Sequence, residues 1–395
     1  MHYRRFGRTN LQIPVFSCGG MRYQHSWTDT PLAEIPADNQ SNLEATILRA
    51  IELGINHIET ARGYGSSEVQ LGQILPRLNR DKIIVQTKVA PFENPEEFLK
   101  TFEDSIAKLR LDHIDLFSIH GINNDELLEW TVRKGGCMDA ARKLQREGRV
   151  RHIGFSSHAT NATIVKAIRT GEFDYVNLHW YFVNDLNWPA VVEAKKQDMG
   201  VFIISPNDKG GKLYAPPEKL VNLCAPLTPM AFNDLYCLSR PEVHTLSLGA
   251  AKPSDFDAHI EALKHSDTMA EIIGPIESKL RTEMETILGK DWCARWDEGL
   301  PEYHDIPGQI NVKEILRLWT FAKSLDLVDW GRMRYNLLGG AGGHWFPGEM
   351  AKDFDDETLR ANCSTSPFAA KIPELLREAH AMLFDKPVKR LSQGD

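Results

Sequence analysis

Eight short apolar runs recur through the first two thirds of the chain, and helically spaced stretches alternate with them. The runs lie at residues 14–20, 55–60, 83–89, 114–120, 150–157, 175–181, 201–205 and 244–249. Between them, Ser41-Asn42-Leu43-Glu44 has the form of a capping box opening a helix, with Leu43, Ile47 and Ile51 on one side and Gly54 at its end. Asn94-Pro95-Glu96-Glu97 opens another, with a capping side chain, a proline in the first turn and acids at the positive end of the helix. Strands that alternate with helices form a parallel sheet. Eight such units with short links predict a closed (β/α)8 barrel, an α/β TIM barrel. An open doubly wound sheet has fewer strands and carries a glycine-rich fingerprint after the first. The glycine-rich run at 339–343 has no strand before it and Trp345-Phe346-Pro347 after it, and reads as a loop. Residues 1–13 alternate around Gly7-Arg8-Thr9-Asn10 and read as a β-hairpin, and residues 22–40 as a loop.

In a parallel barrel the carboxyl ends of the strands share one face, where rigid strands aim side chains into variable loops. Three successive runs deliver ionisable groups there. The second ends in Glu59 with Tyr64 just beyond, the third in Lys88 and the fourth in His120. Singly, a tyrosine after a glycine is ordinarily a loop aromatic, a strand-end lysine is solvated and a strand-end histidine is a satisfied polar residue. Together they make an acid, a cation to tune it, a carboxylate to hold the cation and an imidazole to orient a substrate.

The stretch Glu59-Thr60-Ala61-Arg62-Gly63-Tyr64-Gly65, with Lys88 and His120 on the next two strands, resembles the signature of the aldo-keto reductase family. The resemblance implies catalytic roles for Tyr64, Lys88, His120 and Glu59, the last standing where the family has Asp. The substitution keeps the charge and adds a methylene, so the reach of this carboxylate to Lys88 separates an enzyme from a non-catalytic nucleotide-binding or scaffold protein. Further motifs follow in family order. Gly20-Met21 matches the exit from the first strand; Ser156 and Ser157, with Asn177, match contacts to a nicotinamide amide. Ser205 and Gly210 match a pyrophosphate loop, and Gly249, Lys252, Asp255 and His259 match the adenosine end, His259 taking a usual Asn position. The implied cofactor is NADP, with Lys252 meeting its 2′-phosphate. The implied activity is reduction of an aldehyde, ketone or sugar to an alcohol, or the reverse. Trp27, Trp180 and Tyr181 read equally as a partly apolar substrate face and as core. A metal-dependent barrel hydrolase is disfavoured, because no strand end carries a His-x-His pair.

The chain is long enough, at 395 residues, for a barrel and a smaller domain. The expected division is a barrel over 1–270 and a mainly helical domain over 271–395. The latter resembles the ferredoxin-like domain of a subgroup of the same family, with the cluster cysteines missing. A formal charge of −8 argues against nucleic acid or an anionic membrane as the main partner; the partner that the resemblance implies is a small-molecule carbonyl or alcohol, with the oligomeric state open. Six cysteines, at 18, 137, 224, 237, 293 and 363, form no CxxC pair and read as reduced thiols of a cytoplasmic protein. No signal peptide is expected at the amino terminus. That subgroup carries its cluster cysteines in two runs, whose last ligand positions fall about at Ile306-Pro307 and Ser366-Pro367 here; because a cluster needs four thiolates and only Cys293 and Cys363 lie near, the purified protein is expected to be colourless. Stoichiometric iron with a broad visible band would contradict this.

Overall fold

The computed structural model describes residues 1–340 and 342–387; Ala341, within the glycine-rich run, lies outside the described residues. Strands β1 (Tyr3–Arg5) and β2 (Gln12–Pro14) pair antiparallel as the expected hairpin, with Asn10 left-handed at φ 56° in its turn. Eight parallel strands follow: β3 (Phe16–Gly19), β4 (His57–Glu59), β5 (Ile84–Val89), β6 (Ile114–His120), β7 (Val150–Ser156), β8 (Tyr175–Leu178), β9 (Gly200–Ile203) and β10 (Thr245–Leu248). They pair in chain order, and β10 returns to β3, closing the (β/α)8 barrel. Each falls within or one residue from its apolar run, because strands covered on both faces are apolar almost throughout.

The hairpin seals one end. Phe6 is fully buried 5.5 Å from the Tyr175 ring, in a cluster with Ile13, Ile84, Leu116 and Phe202. A side chain at Gly200 would put its Cβ 2.5 Å from the Phe6 ring, so glycine there is a matter of room. Above this plug the interior is polar. Ser17 Oγ lies 2.6 Å from His57 Nδ1 and 2.7 Å from Thr245 Oγ1, while Gln86 donates to Ser118 Oγ at 2.9 Å and Ser118 meets the Tyr175 hydroxyl at 2.9 Å. Burial pushes His57 down to about 3, so this layer is uncharged at neutral pH.

The first helix departs from expectation. Helix α1 (Ala37–Glu52) begins ahead of Ser41, which sits inside it, and no side chain caps its start. Pro36 precedes it at φ −57° and Asp38 occupies the first turn, so a preset backbone and a dipole charge open the helix where the capping box was expected to. Helix α2 (Ser67–Ile74) follows β4, and α3 (Pro95–Leu109) opens as expected, with Asn94 Oδ1 accepting from the Glu96 N–H at 2.9 Å. Its buried face carries Phe98, Phe102, Ile106 and Leu109.

The chain divides into two compact units, one formed by Met1–Pro206 and Tyr236–Lys264, which holds all ten strands, and the other by Asn207–Leu235 and the described residues from His265 on. The second is an extra helical region, with its longest helices at Met269–Leu288, Val312–Leu325 and Ile372–Leu383. Its interior holds Trp292, 5.3 Å from the Trp319 ring, with the Trp292 indole donating to Thr320 Oγ1 at 3.0 Å. Arg317, 3% exposed, is paired with Glu314 and lies 5.3 Å above Trp330. All six cysteines are free thiols. Among the described residues no helix is long and apolar enough to cross a membrane, and no group of three His, Cys, Asp or Glu could hold a metal ion.

A strained carboxylate underlies the frame. Glu68 on α2 is wholly buried; its Oε1 accepts from Thr87 Oγ1 at 2.5 Å and its Oε2 has no partner. Desolvation raises its pKa to about 7, above the unfolded value, so its contribution to stability is present in acid and lost as pH rises through that value. Glu68→Gln is therefore expected to melt higher than the parent at about pH 8 and within error of it at about pH 5. A variant that melts lower at the higher pH would show the carboxylate to be stabilised by its surroundings.

Candidate active site

Barrel register builds the site. Gly19 pairs with Glu59, Glu59 with Gln86, Lys88 with Ser118, His120 with Ser156, and Ser156 with Asn177, so the strand ends bring these side chains to one mouth. The turn after β4 returns Tyr64 over it. Gly65, at φ 53°, permits that turn and leaves no room for a side chain, since a Cβ would lie 2.0 Å from the Ser26 carbonyl.

Four of the expected residues come together. Glu59 Oε1 is ion-paired with Lys88 Nζ, both side chains being almost fully buried. The Lys88 ammonium also donates to the Thr60 carbonyl at 2.8 Å and to the Tyr64 hydroxyl at 3.2 Å, and lies 4.7 Å from the Tyr64 ring centre. Tyr64 OH is 3.4 Å from Glu59 Oε1, a long contact. The His120 ring stands edge-on to Tyr64 with centroids 5.7 Å apart. The extra methylene of Glu59 thus does not carry its carboxylate away from the lysine. Burial pulls the Lys88 pKa well below the ordinary lysine value.

A loop wall covers one side of Tyr64. The Trp27 ring meets it edge-on at 6.2 Å, and the loop is pinned where Ser66 N–H donates to the Ser26 carbonyl at 3.0 Å. Asp29 of the same loop pairs with Arg62 at 2.6 Å and Lys108 at 2.8 Å. Trp180 is different. It is 3% exposed, stacked 5.2 Å from Tyr236 and 4.8 Å from Trp188, and belongs to the core. Tyr181 donates to or accepts from His179 Nδ1 at 2.7 Å, and His179 Nε2 lies 2.5 Å from the half-buried His158 at Nδ1, a chain at the β7 and β8 exits that residue types alone do not reveal.

The residues matched to a cofactor behave unevenly. Ser156 Oγ accepts the Gly121 N–H at 3.0 Å, and Ser157 donates to the Ile122 carbonyl at 2.7 Å, so both hydroxyls already serve the backbone. Asn177 is fully buried, and neither its amide nitrogen nor its amide oxygen has a partner in the protein. A buried amide left so costs about 1–3 kcal/mol, and a ligand carrying a complementary amide satisfies both atoms. Met21 is half-buried beside Gly20, and Ser205 is left-handed at φ 52°. Asp255 turns its carboxylate inward to the Ala251 and Lys252 N–H groups at 2.8 and 3.3 Å, which shapes the loop after Gly249 and leaves Lys252 exposed. His259 is 3% exposed and packs edge-on to Phe16 at 5.6 Å, a core contact. Gly210 belongs to the second unit, where the Lys209 carbonyl accepts from the Trp330 indole at 3.1 Å.

Residues 17–205 match the model of the aldo/keto reductase family. The barrel belongs to that family. L-galactose dehydrogenase of Arabidopsis thaliana is 24% identical over 332 residues, covering 75% of this chain and 97% of that protein. L-glyceraldehyde 3-phosphate reductase of Escherichia coli K12 is 24% identical over 179 residues, 41% of this chain and 47% of that one. Among solved structures, the holo form of an aldo-keto reductase from Bacillus halodurans superposes with a TM-score of 0.59 at 21% identity, covering 71% of this chain and 96% of that chain. An aldo-keto reductase from Klebsiella pneumoniae in complex with NADPH gives 0.55 at 18%, covering 69% and 93%. The named relatives are oxidoreductases, and the family match lies within the unit that holds the barrel.

Removing one member of a buried ion pair costs about 3–5 kcal/mol unless the survivor gives up its charge. Burial already lowers the Lys88 pKa in the parent, and without the Glu59 carboxylate it falls further, so the folded variant binds fewer protons than the folded parent and gains more stability than the parent as pH rises. Glu59→Gln is expected to melt well below the parent at neutral pH and to close the gap towards about pH 10, near the ordinary lysine value. A gap that does not change with pH would mean that Lys88 carries no charge in the parent.

Proposed function

We propose that the barrel mouth binds NADP(H) and reduces a small aldehyde, ketone or sugar to an alcohol, or runs the reverse reaction, with Tyr64 as general acid. The observation that carries this reading is the Lys88 ammonium, buried between the Glu59 carboxylate and the Tyr64 hydroxyl. An ordinary phenol, with a pKa of about 10, is a poor acid at neutral pH. A cation 3.2 Å away stabilises the phenolate and so eases release of the proton to a carbonyl oxygen. Glu59 holds the cation charged and in place. His120, edge-on to Tyr64, orients the carbonyl oxygen towards the phenol, and Trp27 limits the space beside it.

The residues fit a nicotinamide cofactor. The Asn177 amide, buried and unpartnered, suits the carboxamide, with Met21 and the backbone held by Ser156 and Ser157 around it. Gly249 and the exposed Lys252 suit the 2′-phosphate end, where a charge-assisted hydrogen bond favours NADP over NAD. The bound nicotinamide supplies the hydride equivalent, and the protein supplies placement, charge and the proton. Relatives named for a sugar dehydrogenase and for a phosphorylated aldehyde reductase make small polyhydroxy carbonyls the first class to try. The formed Glu59–Lys88 pair counts against the non-catalytic alternative, which supposed that the longer carboxylate had drifted from the lysine.

NADPH titration followed by its oxidation against a panel of aldehydes, ketones and sugars tests the proposal. NADPH should bind more tightly than NADH, and Lys252→Ala should reduce the difference by roughly 10-fold, the usual scale for one charge-assisted hydrogen bond. Equal affinities in the parent would move the cation away from the phosphate, and no oxidation with any carbonyl would remove the enzymatic reading.

A further inference from the structure

Glu59 divides its two oxygens. Oε1 faces Lys88 and Tyr64, whereas Oε2 receives a hydrogen bond from Ser247 Oγ at 3.3 Å. Ser247 comes from β10, Glu59 from β4, and β3 runs between them and pairs with both. The residue of β3 at that point is Gly19, and its lack of a side chain decides whether the contact exists. A Cβ there would lie 2.6 Å from Ser247 Oγ, 3.0 Å from the Leu248 carbonyl and 3.3 Å from Glu59 Oε2. Any side chain at position 19 would therefore fill the space in which Ser247 reaches across to Glu59. Ser247 and Glu59 are 9% and 2% exposed, so water has little access to replace the hydroxyl.

We propose that Gly19 and Ser247 form a seat for the longer carboxylate, Ser247 acting as a positioning residue that fixes Oε2 and so leaves Oε1 on Lys88. The chemistry follows from the length of the side chain. A glutamate has one more rotatable bond than an aspartate, and its carboxylate can swing between the lysine and the tyrosine hydroxyl unless something holds its far oxygen. Ser247 is a neutral donor whose hydroxyl rotates to meet that oxygen, and Gly19 is the vacancy that admits it. Released from Ser247, the carboxylate has the Tyr64 hydroxyl within 3.4 Å to turn to, and an anion moved closer to the phenol makes it a weaker acid. The easiest relief for a Cβ at position 19 is rotation of the Ser247 hydroxyl, so Gly19→Ala and Ser247→Ala share a consequence.

The inference rests on the proposed role of Tyr64 as acid, and its test includes a reading that needs no turnover. In a double-mutant cycle, Ser247→Ala is made with Glu59 and with Glu59→Asp, and Gly19→Ala with Glu59. Tyr64 is titrated in each by the near-ultraviolet phenolate difference between the protein and its own Tyr64→Phe counterpart. Ser247→Ala and Gly19→Ala should both raise the Tyr64 pKa in the Glu59 background. Ser247→Ala should leave it unchanged beside Glu59→Asp, whose shorter carboxylate does not reach the seat. On any carbonyl that is turned over, Ser247→Ala should lower kcat by roughly 10-fold, the usual scale for a hydrogen bond to a charged group, with KM unchanged, and lower it less than about 2-fold in the Asp background. Equal effects in both backgrounds, or no shift in the Glu59 background, would overturn the seat. A shifted Tyr64 with no turnover on any carbonyl would keep the seat and reject the reductase.

Discussion

The buried Glu59–Lys88 ion pair is the interaction on which the rest of the site depends. Two charges taken out of water cost several kcal/mol each, and their attraction offsets that only when the geometry is close and the remaining donors are used. Here the ammonium is used in three directions, to the carboxylate, to the Thr60 carbonyl and to the Tyr64 hydroxyl. The third is the one on which the proposed mechanism rests. The same low-polarity surroundings that make the pair costly make the field of the lysine strong at the phenol, because little water screens it.

The barrel provides the stiffness this needs. Glu59 and Lys88 come from adjacent strands, His120 from the next, and Tyr64 from a turn locked by Gly65 against the Ser26 carbonyl. Below them the uncharged polar layer from Thr245 through Ser17 to His57 separates the charged mouth from the Phe6 plug. The hydrogen-bonded interior therefore runs from an apolar base to a charged rim within one closed sheet.

Much of this was legible in the residues. Barrel strands are covered on both faces, so all eight appear as largely apolar runs, and the ends of these runs point to Glu59, Lys88 and His120. Legibility failed where distance in the chain decided the outcome. Ser247 meets Glu59 only because β10 closes onto β3, which no local pattern announces. Helix α1 starts ahead of the capping-box pattern at Ser41 because Pro36 opens it. Trp180 carried two readings until its stacking on Tyr236 placed it in the core. His259 and Asp255 kept their expected positions in the chain, while packing turned one against Phe16 and the other onto its own loop. The replacement of Asp by Glu could be noticed in the sequence, but the reach of the longer side chain is a matter of ångströms.

The central claim is that the Tyr64 hydroxyl, tuned by the buried pair, gives the proton to the carbonyl oxygen. Single-turnover oxidation of NADPH by Tyr64→Phe, beside the parent and with binding of NADPH measured separately, tests it most directly. The phenylalanine ring keeps the contact with Trp27 and loses only the hydroxyl, so binding should persist while the rate falls by roughly 10²- to 10⁴-fold, the usual scale for loss of a general acid. A Tyr64→Phe protein that oxidises NADPH as fast as the parent would contradict it.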